Sequence, residues 1–348
     1  MSEEQHKPLL SVVIPTLGRP VLATTIDSLA GTVLAKNIEV IVAGKIRDPE
    51  LLSKITELGN AFAGFKHLDI SFKQGDSSNK KNAGLHESLG EIVAFTDDDV
   101  KVGADWPSQI LAPFEDKAVG MVSGPSLIPD DLPLMARLSG LALASGAAGY
   151  VAGRYRKGNK KPREIKWSGI IGCNMAFRKE IISSFDGFDT SFWPGEEMVA
   201  AFKTAATHKI VFQPGAALWH YPRATLFGFI KQIYGYGATR IRLLRTGLEF
   251  EFTTIIPALM ILSFLVLLCL SVLSKTAAAT LVALLLIYLA AAVAITLECF
   301  SRSRRFSDLL VVLLIPIMHV SYGIGEWIEI FFKNKDLSIK KHKSTGSH

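Results

Sequence analysis

Cysteine is scarce in this chain: three residues among 348, Cys173, Cys269 and Cys299. They are scattered without metal-ligand spacing, which excludes a cysteine-built metal site and a disulfide framework and fits a reducing compartment. Charge is also sparse, at 20% Asp, Glu, Lys and Arg, whereas apolar residues reach 49% and the mean hydropathy is +0.30. Such a composition excludes a disordered or low-complexity polypeptide. The start, MSEEQHKPLL, has no long apolar core of the kind a signal peptide needs, so residues 1–250 are expected to stay in the cytosol.

The apolar excess is concentrated. Thr253 to Leu273 and Ala277 to Leu297 are each 21 residues without a charge, separated by little more than Ser274, Lys275 and Thr276. Either is long enough to cross a hydrocarbon core of about 30 Å as a helix, and two joined so tightly predict a membrane hairpin. Leu309 to Gly325 is uncharged for 17 residues but contains Pro316 and His319 and runs into Glu326 and Glu329. Arg240, Arg242 and Arg245 precede the first stretch, and Arg302, Arg304 and Arg305 follow the second, which places both flanks inside. Three full spans would then put Lys333, Lys335, Lys340, Lys341 and Lys343 outside, against the same rule. Either the rule fails for the last segment, or Leu309 to Phe332 is re-entrant or interfacial, for which Pro316, Gly323, Gly325 and the two glutamates give a physical reason; the expectation is two to three transmembrane helices over 253–332, three by preference, followed by a basic tail, 333–348.

Before the spans, strand-like and helix-like segments alternate. LLSVVIP (9–15), IEVIVA (38–43) and EIVAFT (91–96) read as buried strands, and His67 to Phe72 alternates like one more. Val21 to Leu34, Pro49 to Ala63 and Lys80 to Leu89 have helical spacing. The order predicts an α/β fold with a mostly parallel sheet covered on both faces, and ligands at the carboxyl ends of its strands. Asp97-Asp98-Asp99 stands at one such end. In extended backbone Asp97 and Asp99 point to the same side, and hard carboxylate oxygens there suit Mg²⁺ or Mn²⁺, which can bridge a diphosphate.

SVVIPTLGRP (11–20), NKKNAGLHESLGEIVAFTDDD (79–99), GFDTSFWPGEE (187–197) and AALWHYPR (216–223) together resemble family 2 inverting glycosyltransferases of the GT-A fold. The resemblance covers residues 9–245 and implies a cytosolic catalytic domain, 1–224, that transfers a sugar from a nucleoside diphosphate sugar, a UDP-sugar in the first instance. It implies that Asp97 and Asp99 hold the metal with His220, and that Pro15, Thr16, Arg19, Lys81, Asn82, Asp97 and Asp98 line the donor. Gly195-Glu196-Glu197 resembles the acidic motif supplying the catalytic base; Glu197 stands where the family usually has aspartate, with Glu196 the competitor. The family's base-reading aspartate after the second strand is absent at Ala43-Gly44, although Asp48 and Asp76 are near. Asn174 and Trp193 are implied on the acceptor side.

The membrane enters this reading twice more. Arg154, Arg156, Lys157, Lys160, Lys161, Arg163 and Lys166 read as a mobile basic loop attracted to anionic headgroups or lipid-linked phosphates; no nucleic-acid-binding motif accompanies them. Leu226 to Leu244 mixes apolar residues with Lys231, Arg240 and Arg242 and predicts an interfacial amphipathic helix within 225–252. With Arg223 and Gln232 it resembles membrane-attached bacterial transferases of exopolysaccharide assembly. The expectation is thus a multi-pass inner (plasma) membrane enzyme acting on a polyprenyl-linked saccharide. A polyprenyl-phosphate sugar synthase and a non-catalytic nucleotide-sugar-binding scaffold are the alternatives.

Overall fold

In a computed structural model of the chain, residues 7–158, 161–192, 194–248 and 252–332 are described. Trp193, Lys160 and the basic tail 333–348 lie outside them. The chain forms two compact units, Met1–Ala224 and Thr225–His348.

In the first unit, β1 (Leu10–Pro15), β2 (Ile38–Ala43), β3 (Gly64–Leu68) and β4 (Ile92–Thr96) lie parallel in the order β3-β2-β1-β4. These strands are apolar runs because both faces are covered. Val12, Ile14, Val40 and Val42 are fully buried in one core cluster, each side chain contributing about 1.5–3 kcal/mol on leaving water. The helices α1 (Leu22–Ala30), α2 (Pro49–Gly59) and α3 (Asp76–Glu87) connect them. α3 lies close on β1 because Gly84 has no side chain; a Cβ there would stand 2.3 Å from Val13 Cγ1.

Short β5 (Val100–Val102) leaves the main sheet directly after the aspartates. It is followed by α4 (Trp106–Leu111), β6 (Val119–Ser123), β7 (Ser126–Leu127), α5 (Leu134–Ala144), β8 (Arg163–Glu164), β9 (Asn174–Arg178), α6 (Lys179–Ser183), α7 (Glu196–Ala205), β10 (Lys209–Phe212) and β11 (Leu218–His220). β9 extends the sheet antiparallel to both β4 and β6, giving eight strands in the order β3-β2-β1-β4-β9-β6-β10-β8. A second sheet, β5-β11-β7, pairs His220 with Val100 in antiparallel register. Two expectations are corrected here. The third strand begins at Gly64 rather than His67, because its register is set by pairing with Glu39–Ala43. The segment 154–166 is not wholly a mobile basic loop: Arg154 and Arg156 fold inward onto the carbonyls of Ser168 and Ala144, and Arg163 pairs with Phe212 across β8 and β10. The apolar stretch around α5 is largely core, with Gly140 seated against Ile128.

The second unit contains α8 (Leu226–Arg245), α9 (Ile256–Ser271), α10 (Lys275–Ser303) and α11 (Val311–Phe331). Three helical stretches, Phe252–Ser271, Lys275–Ser303 and Phe306–Phe331, are long and apolar enough to cross a membrane.

Candidate active site

Three carboxylates at the end of β4 have three different surroundings. Asp98 is buried and turns back under the loop after β1, where it accepts hydrogen bonds from Thr16 Oγ1 (2.6 Å) and Leu17 N (3.2 Å) and pairs with Arg19. It fastens that loop. Thr25 Oγ1 secures the other side, 3.0 Å from the Asp98 carbonyl and 2.8 Å from that of Val100. Asp99, which also accepts from Arg19 Nη2 at 3.0 Å, Asp97 and His220 bring ligand atoms within 4.8 Å of one another. The His220–Val100 pairing supplies that histidine, whose Nε2 lies 3.1 Å from Asp99 Oδ1 and 3.8 Å from Asp97 Oδ2.

The electrostatics differ along the triplet. Burial disfavours ionisation of Asp99, but His220 and Arg19 outweigh it and hold the carboxyl down at about 2. Burial raises Asp97, with His220 and Lys81 pulling the other way. Burial would lower His220, yet Asp99 and Asp97 raise it. Two carboxylates and an imidazole converging on one point are a hard, mixed oxygen and nitrogen donor set that fits Mn²⁺ or Mg²⁺.

A second acidic pair caps α7. Gly195 adopts φ 111°, a left-handed conformation that favours glycine, and turns the chain so that Glu196 and Glu197 open the helix. Glu196 is buried; its Oε1 accepts from Lys81 Nζ at 2.9 Å and Ser77 Oγ at 3.3 Å, and its Oε2 from Gly195 N. Glu197 is only partly covered and rests against Gly172, where a Cβ would stand 3.3 Å from its Cγ. Burial, then the charge of Glu196, push the Glu197 carboxyl up to about 7, against the pull of Lys81. Burial would lower Lys81, but Glu196, Glu197 and Asp97 together raise it. This lysine therefore stands in the field of both acidic groups, which links the metal-ligand cluster to the Glu pair.

Other expected site residues have structural duties. Asn82 donates from Nδ2 to the Phe188 carbonyl and accepts from Phe188 N, both at 2.8 Å, and so clasps the segment leading to the Glu pair. Asn174 is completely buried: Nδ2 donates to the carbonyls of Pro125 (3.0 Å) and Ala216 (2.8 Å), and Oδ1 accepts from Trp106 Nε1 (3.0 Å). With its amide so engaged it joins strands instead of facing a pocket. Pro15 ends β1, and Thr16 and Arg19 follow it in the loop that Asp98 fastens. Arg223 is exposed beyond β11, its carbonyl accepting from Ser139 Oγ. Gln232 belongs to the second unit, where Nε2 donates to Tyr236 Oη at 2.9 Å.

No side chain fits at Gly44 after the second strand. Gly44 passes so close to the first loop that a Cβ would lie 2.1 Å from the Thr16 carbonyl oxygen. The nearby aspartates are engaged, Asp48 capping α2 at Glu50 N and Asp76 holding Lys80 Nζ at 2.5 Å. Lys80, not singled out from the sequence, is buried and also donates to the Thr16 carbonyl at 2.9 Å. Its spacing of four from Asp76 on one helix was the available signal.

Comparisons with known proteins bear on the fold and the family. The fold is similar to that of the mannosyltransferase PcManGT from Pyrobaculum calidifontis, determined in complex with GDP-Man and Mn²⁺: TM-score 0.54, 18% identity, covering 94% of this chain and 88% of that one. That likeness shows the GT-A fold. Among curated proteins, an uncharacterized protein, y4gI, of Sinorhizobium fredii is 28% identical over 240 residues, 63% of this chain. A GalNAc(5)-diNAcBac-PP-undecaprenol beta-1,3-glucosyltransferase of Campylobacter jejuni is 34% identical over 93 residues, 26% of this chain. These matches span only 25% and 30% of the two relatives' lengths. The model of glycosyl transferase family 2 matches residues 11–185. With half of its length matched, the chain belongs to glycosyl transferase family 2.

Proposed function

We propose that this protein is a metal-dependent inverting glycosyltransferase that moves a sugar from a nucleoside diphosphate sugar, a UDP-sugar in the first instance, to a lipid-linked saccharide at the cytosolic face of a membrane. The observation that carries the reading is the division of labour within the Glu pair. Glu196 is held by Lys81 and Ser77, whereas Glu197 is partly open and its carboxyl lies near 7. A carboxylate so placed is matched to removing the acceptor hydroxyl proton as that oxygen attacks the anomeric carbon from the face opposite the departing diphosphate. Glu197 is thus the base, and Glu196 with Lys81 sets its position and field.

Asp97, Asp99 and His220 would hold Mn²⁺ or Mg²⁺, which when bound neutralises charge on the leaving diphosphate. Asp98 acts through the loop it fastens, keeping Thr16 and Arg19 where the donor enters. The lipid-linked acceptor is supported by the C-terminal apolar helices and by similarity to the Campylobacter glucosyltransferase, whose name specifies an undecaprenyl diphosphate carrier.

The test is sugar transfer by Glu197→Gln and Glu196→Gln. Glu197→Gln is expected to lower kcat by on the order of 10²–10⁴-fold with donor binding retained, and Glu196→Gln to retain measurable turnover. Full activity of Glu197→Gln would favour the polyprenyl-phosphate sugar synthase, in which a lipid phosphate attacks and a carboxylate base is dispensable. Binding of nucleotide sugar without any turnover by the unaltered chain would favour the scaffold.

A further inference from the structure

α9 and α10 form a helical hairpin through the turn at 272–274 and pack on one another. The beginning of α9 and the end of α10 therefore lie on the same side. These two are covered little by the rest of the protein: 11% of the first apolar stretch and 6% of the second is buried, against 44% of the third. The third packs on both helices of the hairpin.

Its start lies at the end of α10, with the Phe300 and Phe306 rings 5.3 Å apart. Its other end lies at the beginning of α9: Glu326 Oε2 accepts from Ala258 N at 3.1 Å, Trp327 Nε1 donates to the Ala258 carbonyl at 3.0 Å, and Gly323 faces Pro257. Between them, His319 Nδ1 meets Tyr288 Oη at 2.9 Å. Ala258 and Tyr288 are each about 20 Å along their helices from the hairpin turn, at 1.5 Å per residue. Residues 319–327 thus reach α10 and α9 at one depth. By the same ruler the Phe300–Phe306 contact lies about 39 Å from the turn, so this helix descends beside α10 from Phe306 to His319 and then holds its depth to Glu326, where a full span would carry Glu326 about 10 Å deeper than His319.

α8 fixes the same arrangement. It runs parallel to α11, Gly237 against the Tyr322 carbonyl and Gly325 against that of Tyr234, where a Cβ would come within 2.0 and 2.2 Å. At the end of this contact Arg242 Nε and Arg245 Nη1 each lie 3.0 Å from the Glu329 carboxylate. With Lys231, Arg240, Arg242 and Arg245 along it, α8 is no membrane span, and α11 shares its layer.

From these contacts we infer that the protein crosses the membrane twice, not three times, and that α11 is an interfacial helix docked on the cytosolic leaflet. This rests on the reading that α9 and α10 cross the bilayer. The surface offered to lipid is the exposed stripe Leu313, Val320, Ile324, Ile328 and Phe331. Its occupant is the boundary between headgroups and acyl chains of the leaflet that α9 and α10 already enter. Charge agrees: Arg240–Arg245, Arg302–Arg305 and the lysines from Lys333 onward then all flank the membrane on one side, as the positive-inside rule requires.

Single cysteines at Ser274, Ser303 and Ser344, placed in the full chain with Cys173, Cys269 and Cys299 replaced by alanine, test this with a membrane-impermeant maleimide. Ser274→Cys is expected to label only from outside intact cells, and Ser303→Cys and Ser344→Cys only in inverted vesicles. Labelling of Ser344→Cys from outside would overturn the inference; labelling of Ser274→Cys only in inverted vesicles would overturn it by removing the hairpin, leaving the reading of the catalytic centre intact. Reporter fusions after His348 of the unaltered chain read the same question without cysteine changes. Green fluorescence is expected, and an active exported phosphatase would overturn the inference.

Discussion

Adjacent residues of like charge have separate duties here. Asp98, buried and hydrogen-bonded to Thr16, fastens the first loop while its neighbours form the candidate metal-ligand cluster, and among the described residues Glu196 is ion-paired to Lys81 whereas Glu197 shows no ion pair. The pH profile follows from that pairing. A base with a carboxyl near 7 is protonated below it, so turnover should rise with pH through this region. Glu196→Gln removes a like charge and should move that limb to lower pH; Lys81→Met removes the opposing cation and should move it higher. Shifts of both variants in the same direction would contradict the arrangement. The resemblance already set Asp98 apart from the metal pair Asp97 and Asp99 and favoured Glu197 over Glu196, but the burial and partners behind that division come from chain segments far apart and were not legible. For the same reason the amide of Asn174, which the resemblance implied on the acceptor side, is engaged with Pro125, Ala216 and Trp106. Asp98→Asn should raise the donor KM through a loosened loop while leaving Mn²⁺ affinity, followed by electron paramagnetic resonance, nearly unchanged.

At the level of elements, β1, β2 and β4 were legible because strands buried on both faces are short, β-branched and uninterrupted. The edge strand β3 is half-buried and its pattern misled by three residues. α3 begins at Asp76 with a polar turn that carries little apolar periodicity. The small sheet β5-β11-β7 was not foreseen: strands of two or three residues have no readable period, yet one of them delivers His220. α8 was recognisable as amphipathic and α11 as an apolar stretch, but their contact was not, since it depends on Gly237 and Gly325 leaving room rather than on any pattern. Gly325→Leu should therefore separate the two helices, at a cost of about 1–3 kcal/mol from overpacking, seen as a lower unfolding temperature in detergent. Unchanged stability would place the contact elsewhere.

For the whole molecule, an apolar excess that looked like a property of the entire sequence belongs to its last third, and the catalytic unit is an ordinary α/β protein. The soluble donor and membrane-held acceptor proposed above would need such a division. The protein should accordingly stay in the membrane pellet after an alkaline carbonate wash and leave it only with detergent. The central claim concerns chemistry, and one measurement reaches it most directly: nucleoside diphosphate release across a panel of nucleotide sugars, with a lipid extract, in the presence and absence of Mn²⁺, for the unaltered chain and Asp99→Ala. The account predicts turnover of a donor that requires both metal and lipid and falls by on the order of 10²-fold or more when Asp99 is removed. Turnover that is indifferent to metal and survives Asp99→Ala would contradict it.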